Sequence, residues 1–454
     1  MKNKVVTRFA PSPTGLPHLG TAMYALLNYL YARQNDGEVI MRSEDTDPVR
    51  SKPEYEKAIK EGLAWMGIKA DKFYRQSERT EIYKKYIAKM VSDKTAYVSK
   101  EKNEEGIERE LVRFKNPNKI ITFHDMSRGD ISVDTTDLKD FVIARDLESP
   151  LYHLTAVVDD YEMEITHVIR GEDGLANTPR QILIQEAIGA ERPVYAHYPF
   201  VLMPNRQKMG KRNGAISLQD YMELGYLPSA IVNFTILLAW HPKDDREIFT
   251  LEDLVKEFQL ERIGKSGAIL DEVKLDWLNK EYMKMLPADV RNKSILDRLN
   301  KCGLGDKISE KVYPIIFDHI SKWSDIDTMA GAPARTTDAV QSGGGDLDYY
   351  FSTPDVEKSK LIWKDSNENE AKKHLEHVES ILKNASEDFS TLGVKKIKSL
   401  IFDYATENGR GQVLWPFRVA LSGRDKSPDP FTLVYILGKD ETLSRINNAI
   451  KKLS

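Results

Sequence analysis

Cysteine is almost absent from this chain: Cys302 is the single one in 454 residues. One thiol excludes an internal disulfide framework and any structural zinc site built on several thiolates. Long apolar runs are missing too. No stretch of 18 or more apolar residues occurs, so no membrane-spanning helix is expected. Residues 1–15 hold no apolar signal-peptide core and enter a strand pattern almost at once, which makes the cytoplasm the expected compartment. Nor does one sign of charge dominate. A net charge of −4 argues against wholesale coating by nucleic acid and leaves room only for local basic stripes. Three candidates are Lys395-Lys396-Ile397-Lys398, the stretch from Arg410 to Arg418, and Lys451-Lys452. Taken singly, each is more often a solvated helix face.

With 41% hydrophobic and 30% charged residues, the composition is that of a soluble globular protein, and the length exceeds one ordinary core. Three or more domains are expected. Residues 4–10 read as a strand, followed by the turn-rich Pro11-Ser12-Pro13-Thr14-Gly15. A helix follows with apolar Met23, Leu26, Leu27 and Leu30 at i, i+3, i+4, i+7, stopping at Asn35-Asp36-Gly37; residues 38–42 read as a second strand. This βαβ opening announces a parallel α/β sheet. Ser51-Lys52-Pro53-Glu54 predicts a helix start with a capping box and a proline in the first turn. Its apolar face is Tyr55, Ala58, Ile59, Leu63 and Met66, and Gly67 ends it. Residues 94–143 change to short alternating segments, the mark of a mostly β insertion. The α/β pattern returns at 164–170, at the helix begun by Asn177-Thr178-Pro179, and at an apolar strand over 195–203. From Ser217 the pattern is helical, interrupted by a flexible break at Gly343-Gly344-Gly345.

Ligands of open parallel sheets bind beyond the carboxyl ends of the strands, near helix N-termini. The first such loop carries His18, Leu19, Gly20 and Thr21. Gly20 permits close backbone approach where free N–H groups and the helix dipole favour phosphate, and His18 and Thr21 can add donors. The plainer alternative is a proline-stiffened loop with a surface histidine. A second loop, Pro204 to Gly214, carries Lys208 and Lys211 with Gly210 and Gly214 beside the latter. It suits a mobile clamp on a polyphosphate, stabilising charge that grows on a leaving pyrophosphate. A basic loop on its own is more often solvent-facing.

Together these segments resemble the class I aminoacyl-tRNA synthetases, specifically the bacterial-type glutamyl enzymes. Arg8 to Gly15 followed by His18 to Thr21 is similar to that family's HIGH signature, and Lys208-Met209-Gly210-Lys211-Arg212 to its KMSKS signature. The similarity continues through 42–47, 157–160, 167–173, 177–182 and 274–279, and more weakly through 418–423 and the closing helix near 442–453. Many motifs in the correct order leave little room for chance. The glutaminyl relatives carry a different first loop, which favours glutamate.

The resemblance implies a Rossmann-like parallel-sheet catalytic domain (1–78 and 150–215) with a mixed α/β insertion that binds the acceptor end (79–149). A helical stem-contact domain (216–310) and an all-α anticodon-binding region (311–454) follow. It implies ATP-dependent ligation of L-glutamate to the 3′-terminal adenosine of tRNA(Glu) through glutamyl-adenylate, with tRNA(Gln) as the alternative acceptor. Arg8 and Arg170 match positions that hold the substrate's carboxylates, and Glu44 the position that receives its ammonium; Ala10, Ser12 and Tyr152 match the pocket walls. ATP, carried with Mg²⁺, is implied at Ser12, His18, Gly20, Thr21, Lys208 and Lys211, with His18, Lys208 and Lys211 as the catalytic groups. A monomer with no membrane association is expected, and ATP–pyrophosphate exchange only with the RNA present.

Three departures stand out. Gly210 occupies the place where serine is usual, which makes the loop more flexible. No cysteine precedes Cys302, so the cysteine-based zinc of some relatives is not expected and no metal ligands are assigned. Gly174 stands where bulkier residues are common. A degenerate RNA-binding paralogue and a small-molecule nucleotidyltransferase of the same fold are the competing classes; intact Arg8, His18, Glu44, Lys208 and Lys211 argue against the first. Trp363, Trp415, Phe417 and Arg418 are the candidates for stacking on anticodon bases, with aromatic core packing the commoner role for each of the first three.

Overall fold

Strands alternate with helices over residues 6–92 and again over 152–198, with five strands and, among the described residues, no α-helix between those stretches. The computed structural model describes residues 4–102, 108–210, 214–331, 346–364 and 366–454. The chain divides into two compact units, Met1–Lys284 and Met285–Ser454. The break expected at Gly343-Gly344-Gly345 and the clamp residue Lys211 lie outside the described residues.

In the first unit, strand β1 (Val6–Phe9) leads through helix α1 (Leu19–Gln34) to β2 (Glu38–Ser43), then through α2 (Pro53–Trp65) to β3 (Lys72–Arg75). All three strands are parallel, with Arg8 beside Ile40 and Met41 beside Phe73. Helix α1 forms because Leu19, Met23, Leu26, Leu27 and Leu30 recur on one side and are all buried. Helix α2 corrects one expectation. Its N-cap is Lys52, which makes no side-chain cap, and the buried Ser51 hydroxyl has no partner. The entering chain is tethered by Ser51 N–H to Asp47 O and by Lys52 N–H to Pro13 O, so the helix begins one residue late for a Ser51 cap.

After α3 (Thr80–Ser92) come β4 (Ala96–Lys102), β5 (Glu108–Phe114), β6 (Ile120–Asp125), β7 (Gly129–Asp134) and β8 (Phe141–Ala144). Strands β4, β5 and β8 form a small antiparallel sheet. The β6–β7 hairpin instead extends the main sheet, because β6 pairs parallel with a later strand. That strand is β10 (Val194–Tyr198), reached through α4 (Tyr152–Glu162), β9 (His167–Gly171) and α5 (Thr178–Ile188). The main sheet runs β3-β2-β1-β9-β10-β6-β7. The chain walks outward from β1 on one side and returns to β9 on the other, so the topological switch point lies between β1 and β9.

The single strand expected over 195–203 is two. Pro199 lacks the N–H a ladder needs, and the chain turns there. The continuation, β11 (Val201–Leu202), pairs with β12 (Ala268–Ile269) in a separate sheet. Helix α6 (Leu218–Leu224) starts at Ser217 with a full capping box to Asp220, followed by α7 (Pro228–Leu237), α8 (Leu251–Glu257) and α9 (Glu272–Met285). No helix among the described residues is long and apolar enough to cross a membrane.

The second unit is helical: α10 (Ala288–Lys301), α11 (Tyr313–His319), α12 (Asp325–Met329), α13 (Glu368–Asn384), α14 (Phe389–Leu392), α15 (Val394–Glu407), α16 (Arg410–Ser422) and α17 (Pro430–Leu453). Gly438, at φ 78°, kinks α17. Of the stacking candidates, Phe417 is fully buried core. Trp363 and Trp415 pack on each other at 4.9 Å, and Trp415 Nε1 donates to Lys360 O at 2.9 Å. Arg418 is different: with Lys360, Arg424 and Lys426 it lines a cavity of about 1130 Å³.

Candidate active site

A cavity of about 490 Å³ opens at the carboxyl ends of β1, β2, β9 and β10, at the switch point. Arg8, Ala10 and Ser12 enter it from β1 and its loop, and Glu44 from the end of β2. His18, Gly20 and Thr21 come from the start of α1, Tyr152 from the start of α4, and Arg170 from β9. Distant stretches of sequence thus meet in one space. Glu44 N–H donates to Pro11 O at 2.9 Å, so the end of β2 is bound to the loop that carries Ser12.

His18 caps α1. Its Nδ1 accepts from Gly20 N–H at 3.1 Å, while Thr21 Oγ1 accepts from His18 N–H at 3.4 Å. The Gly20 amide, expected to face phosphate, is therefore engaged by the histidine ring. Because Nδ1 accepts, the neutral ring carries its proton on Nε2, which makes Nε2–H a donor. A Cβ on Gly20 would stand 2.9 Å from His18 Cε1, so only glycine lets the ring fold back over the helix terminus.

Both cavity arginines are desolvated, Arg8 at 3% and Arg170 at 7% exposure. Buried guanidinium groups need partners, and each has them on one side only. Arg8 Nε lies 3.2 Å from Asp160 Oδ1, and its Nη1 donates to Tyr24 Oη at 3.1 Å. Arg170 Nε donates to His197 Nε2 at 3.0 Å, and its Nη2 donates to Thr178 Oγ1 at 2.8 Å and to Gly174 O at 3.1 Å. Among the described residues, Nη2 of Arg8 and Nη1 of Arg170 have no protein partner. Gly174 is explained by the same packing: a Cβ there would lie 2.4 Å from Arg170 Nε.

Sequence reasoning missed the residue at the centre of this charge cluster. Arg42, fully buried, donates through Nη1 to Asp160 Oδ1 at 2.8 Å and through Nη2 to Glu44 Oε1 at 3.3 Å, with Asp159 Oδ2 3.6 Å from Nε. Burial alone would push the Asp160 carboxyl up, but Arg8 and Arg42 together hold it below the ordinary carboxylate value. Asp159 is satisfied by Arg79, Gln76 and Tyr83. Glu44 is the exception. Burial raises its carboxyl above the ordinary 4.5, with Arg42 and Arg8 only partly opposing. The available signal was the pair Asp159-Asp160 after Val157-Val158, with Arg42 ending the apolar run Val39-Ile40-Met41. Charges inside apolar runs must find one another.

Lys208 stands at the rim and is not part of the cavity wall. Its loop is a tight turn, with Met203 N–H donating to Gln207 O and Met209 N–H to Val201 O, both at 2.8 Å. Lys208 Nζ lies 3.1 Å from Asp173 Oδ2, a wall residue, and 3.9 Å from the centre of the Phe200 ring. A Cβ on Gly210 would touch nothing within 4 Å, so packing does not demand glycine there.

Comparison with known proteins decides the family. The model of "tRNA synthetases class I (E and Q), catalytic domain" matches residues 4–110 and 104–277, and that of an "Anticodon binding domain" matches 344–450. Glutamate–tRNA ligase of Aquifex aeolicus is 37% identical, with all of both chains covered. The chain belongs to the class I glutamate–tRNA ligase family.

Other members agree. Glutamate–tRNA ligase 1 of Caldanaerobacter subterraneus is 35% identical, covering 99% of this chain and 98% of its own. The crystal structure of a glutamate tRNA ligase from Elizabethkingia meningosepticum, in complex with its amino acid, matches with a TM-score of 0.84 at 30% identity over all of both chains. Glutamate-tRNA synthetase from Elizabethkingia anophelis matches at 0.83 and 30%, covering 99% of this chain and 100% of that one. The architecture expected of a family member, a parallel-sheet catalytic part followed by a helical half, is the one described above.

Proposed function

We infer that the chain ligates L-glutamate to the 3′-terminal adenosine of tRNA(Glu) in two steps, using ATP as its magnesium complex. One observation carries this reading. Two desolvated arginines, each with one unpartnered terminal nitrogen, share a cavity with a carboxylate that burial leaves under-compensated. An amino acid with two carboxylates and one ammonium complements that set. Charge-assisted hydrogen bonds from Arg8 and Arg170 hold the carboxylates, and Glu44 holds the ammonium. Ala10, Ser12 and Tyr152 form walls.

In the first step an α-carboxylate oxygen of glutamate attacks the α-phosphorus of ATP. The P–O bond to the β-phosphate breaks, and pyrophosphate leaves. His18 Nε2–H and the ammonium of Lys208 meet the growing phosphate charge, with Lys211 from the same loop. Lys208 must first leave Asp173, an exposed pair that costs little to open. In the second step the 2′-hydroxyl of the terminal adenosine attacks the adenylate carbonyl and AMP leaves. The second unit, with its cavity at Arg418, reads the anticodon.

The deciding assay is glutamate-dependent ATP–pyrophosphate exchange with and without tRNA(Glu), followed by charging of purified tRNA(Glu) and tRNA(Gln) side by side. Exchange with the RNA present and charging of tRNA(Glu) are expected. No exchange in either condition sinks the reading, and preferential charging of tRNA(Gln) replaces the acceptor.

Glu44 gives a pH test. The sign follows from a folded-state value above 4.5: the neutral acid is favoured, so the empty site is destabilised by ionised Glu44 above that value, and this cost is gone below 4.5. Ammonium binding needs the ionised form. Glutamate affinity should therefore fall as pH drops through the raised folded-state value of Glu44, beyond the decline caused by the ligand's own titration. In Glu44→Gln the affinity should be weaker at pH 7 and this extra decline absent. Calorimetric titration of both proteins across pH 4–7 measures it; equal slopes would remove Glu44 from the ammonium site.

A further inference from the structure

One buried group beside the cavity has no part in the two steps above, yet touches a residue that does. His197 lies on β10 directly beside Arg170 of β9 in the parallel register, so both side chains leave the same face of the sheet. His197 is 0% exposed, as is Asp125 at the end of β6. Asp125 Oδ2 lies 2.6 Å from His197 Nδ1, and His197 Nε2 lies 3.0 Å from Arg170 Nε.

The tautomer follows from the outer contacts. Arg170 can only donate, so His197 Nε2 must present its lone pair. The ring proton then sits on Nδ1 and is donated to Asp125. Asp125 is an acceptor with no freedom to turn: its Oδ1 takes hydrogen bonds from Ser127 N–H at 3.0 Å, Ser127 Oγ at 2.7 Å and Arg128 N–H at 3.0 Å. The remaining neighbours agree. Burial favours the neutral ring, with Arg170 and Arg128 acting in the same direction against Asp125.

We propose that Asp125 and His197 form a buried positioning relay that holds the His197 tautomer with Nε2 unprotonated, so that it grips Arg170 Nε and aims Arg170 Nη1 into the cavity at a carboxylate of glutamate. The proposal rests on the reading of Arg170 as a carboxylate holder. Nη2 of Arg170 is spent on Gly174 and Thr178, so the remaining freedom of the guanidinium is rotation about its stem, and the bond to His197 removes it. Asp125 and His197 touch no substrate; they act through Arg170. The relay also joins the β6–β7 hairpin to the amino-acid site, since Asp125 pairs with Tyr195 in the main sheet.

The sharpest test is Asp125→Asn, which keeps size and the acceptor for Ser127 and Arg128 but turns a donor toward His197. The ring proton must then move to Nε2 and face the Arg170 Nε–H, donor against donor. Steady-state exchange in the presence of tRNA is expected to show a KM for glutamate raised at least tenfold in D125N and H197A, with the KM for ATP within twofold of the parent. H197Q, whose amide oxygen reaches the Nε2 position, is expected to recover most of the loss. Adding D125N to H197Q should cost less than threefold more, because the tautomer no longer matters. Nitrogen NMR of labelled histidine should show the His197 proton on Nδ1 in the parent and on Nε2 in D125N, a readout independent of activity. Arg170→Ala is the control. If R170A leaves the KM for glutamate unchanged, the carboxylate reading itself fails. If R170A raises it while a folded D125N does not, or if H197Q is as damaged as H197A, the relay is overturned. A uniform change in every constant, tracking a lower melting midpoint, also overturns it, because that is the mark of a purely structural pair.

Discussion

Arg8→Ala is expected to raise the KM for glutamate by about 30-fold to 1000-fold while leaving the fold intact. The range follows from the loss of a desolvated charged hydrogen bond, ~2–4 kcal/mol, at about 1.4 kcal/mol per factor of ten. Arg8 is 3% exposed, so water cannot replace the guanidinium at low cost. Asp160, its structural partner, keeps Arg42 at 2.8 Å and is not abandoned by the substitution. The same argument predicts a change of specificity. Glutamine presents an amide N–H₂ where glutamate presents an acceptor, and a donor facing a buried guanidinium is penalised by both desolvation and repulsion. Removing the guanidinium removes the penalty, so the ratio of kcat/KM for glutamate over glutamine should collapse toward unity. Exchange kinetics with both amino acids decide it; an unchanged ratio would take Arg8 out of the discrimination.

Arg42→Met is expected to have the largest effect on stability. Breaking a buried pair by removing one partner costs about 3–5 kcal/mol, because the remaining charge is left in a dry site. Here Glu44 loses its hydrogen-bond partner and Asp160 its shorter one. Asp159 keeps Arg79 at 2.7 Å and Tyr83 at 2.8 Å, so it is not orphaned. A pH signature separates this from loss of packing. In the parent, Asp160 sits below its ordinary value, so its stabilising share is present above 3.8 and is lost as pH falls through the lowered value. In the variant both Asp160 and Glu44 rise, so the deficit should be greatest near pH 7 and shrink as pH falls through the raised values. Urea unfolding at several pH values, with an unchanged slope, measures it. A deficit independent of pH would mean that lost packing, not unpaired charge, is the cause.

How much of the site was legible depended on the distance over which each residue acts. Arg8, His18, Glu44 and Arg170 were singled out because they stand in strings that resemble the family's motifs. Their meeting in one cavity with Ala10, Ser12, Gly20, Thr21 and Tyr152 needed the sheet, since Arg8 and Arg170 come from strands that pair across the switch point. Arg42 and Asp160 stood out only as charges inside apolar runs, and Asp125 and His197 not at all; a buried ion pair is a statement about two distant chain segments, and neither half announces the other. The missed cap at Ser51 has the same origin. Its local pattern is that of a helix start, but the hydrogen bond from Lys52 to Pro13 decided where the helix begins.

Sequence alone was enough for the class of fold and for the βαβ opening of the first unit. Those depend on periodicities and turn residues that act within a few positions. Two things required tertiary structure: the addition of the β6–β7 hairpin to the main sheet and the placement of Phe417 in the core, away from any stacking on bases. Each turns on which groups are left without a partner once the chain is packed. Burial makes that count, and no window of sequence contains it.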